Sequence, residues 1–247
     1  MNQGDFSFAQ SSTLPIIGGL FGIQLVHELA HWMMSLVKGN KLFGPPFFLP
    51  SLQLGMFGAI TPFIDFPKNR KEMFDVSIIG PAVGWVVSLA TYIAGLYLTN
   101  SSSPEMLASF PVVPASFFHE SLVSGIATLV AFPTLMIQPA AMLVPIHPLV
   151  AVGAAGILIN ALNMMPVGRL DGGRAATAVF GRKNAALLGL VTLLVQAVSS
   201  FFNNYSVQLF WGALIIILQR NQEIPALDEI SGVDSTRRAV LYVMLVL

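Results

Sequence analysis

The sequence predicts an all-α polytopic membrane protein of about six membrane segments, with a small extended or β-hairpin re-entrant region between the first two core helices. Three observations lead there. Mean hydropathy is +0.74 and only 10% of the 247 residues are charged, against about 25% in soluble domains. Apolar runs approaching the roughly 20 residues that span a bilayer recur along the chain. One further apolar stretch, Phe43 to Phe66, is cut by prolines at 45, 46, 50 and 62 and by glycines at 44, 55 and 58, which forbids a long helix. Irregular backbone survives at membrane depth only where protein buries it or where it lines a cavity. Leu52 to Ile64 is therefore expected to be extended and to dip toward a site, either as a structural hairpin or as an edge for strand addition.

The elements follow in order. Residues 1–13 form a polar N-terminal segment, after which Thr13 and Pro15 supply N-cap and first-turn residues for a helix of about 23 residues ending at Gly39-Asn40. Gly18 and Gly22 give that helix a small-residue packing face. Phe74 to Leu98 is the second span, with a kink expected at Gly80-Pro81. A polar linker, Ser101 to Ser116, leads to Phe117–Val144, which is apolar but broken at Pro133 and Pro139. Pro148 to Met165 is the next span. Ala185 to Phe202 and Tyr205 to Leu218 read as an antiparallel pair joined by Asn203-Asn204. The membrane core occupies 14–236, and 237–247 reads as the start of a further helix cut short.

Composition removes several classes of function. Zero net charge and a pI near 6.9 give no footing for nucleic acid. The absence of cysteine rules out disulfides, thiolate nucleophiles and cysteine-ligated zinc. The twelve Lys and Arg residues fall in four places, Lys38 to Lys71, Arg169 to Lys183, Arg220 and Arg237-Arg238, which the positive-inside rule assigns to one side of the membrane. The first helix then runs inward, the second returns, and the span ending near Met165 runs inward again. That parity requires Phe117–Val144 to make no single net crossing.

Val26-His27-Glu28-Leu29-Ala30-His31-Trp32 places three ionisable side chains inside an otherwise apolar helix. Such residues cost several kcal/mol at bilayer depth unless paired, so they mark function by default. Residues four apart share a helix face, and H-E-x-x-H on a helix is a zinc-site pattern. A catalytic zinc needs a third protein ligand and an open position. Asp171, at the end of an apolar span in a glycine-rich turn, is the strongest candidate; His119, Glu120 and His147 are its rivals. A buried hydrogen-bonded network without metal is the bland reading of His27, Glu28 and His31, and their metal spacing weighs against it. Arg169 and Arg174 read as topological anchors.

His27-Glu28-Leu29-Ala30-His31, the Gly80-Pro81-Ala82-Val83-Gly84 helix and Asn163-x-x-Pro166-x-x-x-Leu170-Asp171-Gly172 together resemble the site-2 protease family of intramembrane zinc metalloproteases. Gly58-Ala59-Ile60-Thr61, Ile146-His147-Pro148-Leu149 and the run from Asn163 to Ala175 are similar to its plastid and cyanobacterial branch, called EGY. The resemblance implies one Zn²⁺ held by His27, His31 and Asp171, with Glu28 as general base and Asn163 helping to hold the oxyanion or the substrate backbone. It also implies a multi-pass protein of chloroplast (thylakoid or envelope) or cyanobacterial membranes, with a transmembrane segment of another protein as substrate. Two other readings use the same ligands: a membrane zinc transporter or sensor, and an inactive homologue that binds membrane partners.

Overall fold

The computed structural model describes residues 12–39, 41, 43–51, 55–203, 206–218 and 223–246. The start of the polar N-terminal segment, Asn204 of the expected turn and Arg220 lie outside them. The described chain is mostly helical, with two small antiparallel sheets, and it divides into two compact units.

The first unit takes the described residues up to Leu25 together with Gly84–Leu158. It holds the start of α1 (Leu14–Val37), most of α2 (Arg70–Ser101) and most of α6 (Pro148–Asn163). Small residues let these backbones close on one another, as they do wherever helices must pack without a hydrophobic driving force. Val152 lies against Gly19 and Ile23 against Gly156, so α1 and α6 run in the same direction. Tyr92 meets Gly153, Ser88 meets Gly156 and Gly95 meets Val150, so α2 runs against α6. These are the relative directions that the charge pattern requires.

Between α2 and α6 no helix of spanning length forms. The expected linker contains α3 (Pro104–Leu107), capped by Ser103, and strand β3 (Val112–Pro114). After a 3₁₀ turn at Ala115–His119 come α4 (Leu122–Ala131), α5 (Pro133–Met136) and β4 (Leu143–Pro145). Pro133 opens a helix because its missing N–H costs nothing at that position. The β3–β4 pair, with Val113 opposite Val144, has no counterpart in the sequence expectations. Its strands are three residues each, too short for an alternating pattern to show. Tyr92, Leu96, Phe118, Ile146 and Val150 form the core here.

The second unit takes Val26–Val83 and Ile159–Val246. The expected hairpin is present as β1 (Phe47–Ser51) and β2 (Gly55–Ile60), starting five residues earlier than the stretch assigned to it. Phe47 pairs with Ile60 and Ser51 with Gly55, with a register shift between Phe48 and Pro50. A bulge is where a strand tolerates proline. Helix α2 continues unbroken through Pro81. The second unit also holds α7 (Asp171–Phe180), α8 (Arg182–Asn203), α9 (Ser206–Leu218) and α10 (Ser235–Val246). Gln196 of α8 faces Gly212 of α9, which makes the expected helical pair.

Among the described residues two helices are both long and apolar enough to cross a membrane, Arg70–Ser101 and Arg182–Ser200, whereas Leu122–Ala131, Pro148–Asn163 and Leu209–Leu218 are apolar but shorter. Helix α1 has the length, 24 residues, but carries Gln24, His27, Glu28 and His31. Of the expected six segments, two meet both criteria among the described residues.

Candidate metal centre

All residues of the site belong to the second unit. His27 and His31 lie one turn apart on α1, and Asp171 opens α7. The glycine-rich run after Leu170 is thus the first turn of a helix, not the free turn that Asp-Gly-Gly alone implies. An acidic side chain there meets the partly positive end of the helix, and Gly172 has no room for a side chain because a Cβ there would collide with the Met164 carbonyl oxygen.

The three side chains converge. His27 Nε2 and His31 Nε2 are 3.0 Å apart, and Asp171 Oδ2 lies 3.2 Å from the first and 3.3 Å from the second. All three are buried: His27 is 0%, His31 2% and Asp171 6% exposed. The opposite ring nitrogens are also engaged. His31 Nδ1 donates to the Val76 carbonyl at 2.6 Å, and His27 Nδ1 is 2.8 Å from Asn160 Oδ1. A carbonyl only accepts, so the His31 proton sits on Nδ1; with the Asn160 amide oriented oxygen-first, the same holds for His27.

That tautomer assignment decides the chemistry of the cluster. As neutral rings, both histidines turn an Nε2 lone pair, and Asp171 a carboxylate oxygen, toward one point. Three acceptors within 3.3 Å repel one another unless a metal ion or a proton sits among them. Ligands about 2.0–2.1 Å from a tetrahedral zinc stand about 3.3 Å apart, so spacing and donor set both fit. Among the described residues this is the one group of His, Cys, Asp and Glu that could hold a metal ion. Gly80 of α2 makes room for it, since any side chain at that position would collide with the His31 ring.

Glu28, half-buried beside the pair, accepts a hydrogen bond from Thr61 Oγ1 at 2.5 Å. Asn163 is 1% exposed, and both polar atoms of its amide lack a partner among the described residues. It lies under Gly58 of β2, whose φ of +108° and closeness, 2.5 Å from a would-be Cβ to Asn163 Nδ2, exclude any other residue. The rivals for third ligand are elsewhere. His119 and Glu120 are exposed at the end of the 3₁₀ turn in the first unit. His147 accepts from the Leu149 N–H at 3.2 Å and so caps α6; burial lowers its pKa, in keeping with a neutral accepting nitrogen.

Arg174 is not a topological anchor. It is 1% exposed, its Nε lies 2.6 Å from Glu223 Oε2, and it donates from Nη2 to the Thr61 carbonyl at 2.8 Å. Its guanidinium carbon stands 4.3 Å from the centre of the Phe63 ring. Nothing in the sequence signals Asn160, and Thr61 has no role there beyond its place in the Gly58-Ala59-Ile60-Thr61 motif. A visible signal for Arg174 was its place three residues after Asp171, on the same helix face.

Residues 15–202 match the model of peptidase family M50. The chain belongs to peptidase family M50, the site-2 protease family. Within M50 it is 38% identical over 232 residues to a protein named probable zinc metalloprotease EGY1, chloroplastic, from Oryza sativa subsp. japonica, covering 94% of this chain and 39% of that one. It is 37% identical over 210 residues to probable zinc metalloprotease EGY2, chloroplastic, from Arabidopsis thaliana, covering 85% and 36%. Probable zinc metallopeptidase EGY3, chloroplastic, from Arabidopsis thaliana, is 30% identical over 235 residues, covering 93% and 40%. The chain thus spans about two fifths of the length of these M50 relatives. No solved structure matches it.

Proposed function

We propose that this chain is the core of an intramembrane zinc metalloprotease, occupying 14–236, that hydrolyses a peptide bond in or near the transmembrane segment of a membrane protein. The observation that carries the reading is the convergence of His27 Nε2, His31 Nε2 and Asp171 Oδ2 to within 3.3 Å of one another, beside the carboxylate of Glu28. The zinc named in the relatives supports it, as does their plastid assignment for a plastid or cyanobacterial membrane location.

His27, His31 and Asp171 would hold the ion, with Asn160 and the Val76 carbonyl fixing the two rings. When bound there, zinc supplies a Lewis acid that polarises a carbonyl and acidifies a water molecule. Glu28 takes the proton of the attacking water and passes it to the leaving amine, a role that requires hydrogen-bond reach to both. Asn163, buried with an unpartnered amide, donates to the oxygen that becomes negative as the carbonyl is attacked. A transmembrane helix keeps its amides bonded within itself, so the substrate must unwind locally and helix-weakening residues near the cut are favoured.

The test is Glu28→Gln and Asp171→Ala on the purified full chain, with a detergent-solubilised single-span reporter carrying Asn-Pro in its apolar segment. Glu28→Gln is expected to keep zinc and folding while cleavage falls by about 10²-fold or more. Asp171→Ala is expected to lose zinc as well. Unchanged cleavage by Glu28→Gln would remove Glu28 from the reaction, and metal transport surviving in that variant would favour a transporter.

A further inference from the structure

Behind Glu28 the second unit contains a series of short contacts that metal ligation does not require. Thr61, the residue after β2, is 7% exposed. Its hydroxyl donates to Glu28 Oε2 at 2.5 Å, and its carbonyl accepts from Arg174 Nη2 at 2.8 Å. Arg174 in turn donates from Nε to Glu223 Oε2 at 2.6 Å. Glu223, itself 8% exposed, lies beyond the residues that match the family model.

Each contact answers a physical need. A glutamate side chain has rotamer entropy to lose on being fixed, and a general base is useful only within hydrogen-bond reach of its proton. A hydroxyl-to-carboxylate bond is charge-assisted and stronger than a neutral one. The Thr61 hydroxyl can hold one oxygen of Glu28 only while the backbone at Thr61 stays in place, and Arg174 holds that backbone. An uncompensated guanidinium would be costly to bury and would compete for Asp171, whose Oδ1 is 3.7 Å from Arg174 Nη1. Glu223 supplies the compensating charge and draws Arg174 away from the ligand.

We infer that Thr61 is the positioning residue of the general base, and that the buried Arg174–Glu223 pair anchors it, so that a residue near the C-terminal end of the described chain orders the catalytic centre. This rests on the reading of Glu28 as the base. The bland reading is a buried hydroxyl that happens to find an acceptor, and rescue by serine separates the two. In the bland case valine, nearly the shape of threonine, leaves turnover unaltered.

The experiment uses the full chain and the same single-span reporter, with the unfolding midpoint of the metal-stripped protein as a second readout independent of catalysis. Thr61→Val is expected to lower kcat about tenfold with KM and zinc content unchanged, the pattern of an interaction that matters only in the transition state. Thr61→Ser is expected to restore kcat to within about threefold, since the donor returns. Glu223→Gln is expected to lower kcat and to add little in the Thr61→Val background. In the midpoint measurement, losses from Thr61→Val and Glu28→Ala are expected to be non-additive, as for residues in contact. Full kcat in Thr61→Val, a Thr61→Ser variant as impaired as Thr61→Val, or additive midpoint losses would each overturn the inference. Non-additive losses in a chain whose wild type cleaves nothing would uphold the Thr61–Glu28 coupling and sink the protease reading instead.

Discussion

The side chains that matter most are those whose polar atoms have one possible partner. His31 Nδ1 can only donate to the Val76 carbonyl, and His27 Nδ1 faces Asn160 at 2.8 Å; each contact turns the other ring nitrogen toward Asp171. Removing such an orienting partner typically costs 10–100-fold in metal affinity. Asn160→Ala is accordingly expected to weaken zinc binding by about 10–100-fold in a chelator competition while leaving the stoichiometry at one. Unchanged affinity would mean that packing alone orients the ring. His27, Glu28, His31 and Asp171 were legible in the sequence because their spacing and their rarity in apolar surroundings are one-dimensional facts. Asn160, Thr61 and Glu223 were not, since an isolated polar residue carries no sign of the partner 133, 33 or 49 residues away that it meets.

Each element needs its own termini satisfied, and α10 is the clearest instance. Asp234 caps it by accepting from the Arg237 N–H at 3.0 Å, and the Arg237 side chain also pairs with Asp234. Arg237 further reaches Asp75 at 2.7 and 2.8 Å. The backbone hydrogen bond from Arg237 holds the Asp234 carboxyl below its ordinary value. A carboxyl whose folded pKa is depressed stabilises the fold fully above its unfolded value near 4 and loses that contribution as pH falls through the folded one. The midpoint of thermal unfolding is therefore expected to drop below about pH 4, and Asp234→Asn, which keeps a capping oxygen, is expected to flatten that part of the profile. A steeper profile in the variant would exclude this carboxylate as its cause. The β1–β2 hairpin was legible from prolines and glycines that forbid helix. The β3–β4 pair was hidden, because three-residue strands are set by long-range pairing, with Val112 opposite Pro145.

For the whole molecule, charge and packing agree. No Lys or Arg occurs between Lys71 and Arg169, and α2 runs opposite to α1 and α6, as a chain with its basic residues on one side requires. At 1.5 Å per residue α6 is about 24 Å long, short of the roughly 30 Å hydrocarbon core. The absence of cysteine makes sidedness directly measurable. Single cysteines at Asn184 and Ser231 are expected to react with an impermeant thiol reagent from one face, and a cysteine at Ser109 from the other. Labelling of all three from the same face would overturn the topology.

The sequence by itself marked the chain as strongly apolar, α1 as the bearer of a histidine pair at metal-binding spacing, and Asp171 as the candidate third ligand, because hydropathy, helical periodicity and residue chemistry act locally. Only the tertiary structure decided which ring nitrogens face inward, that Arg174 is a buried strut instead of an anchor, and that Thr61 stands behind Glu28. Those outcomes depend on contacts between segments far apart in the chain, where a buried polar group must find a partner whose position no local pattern encodes.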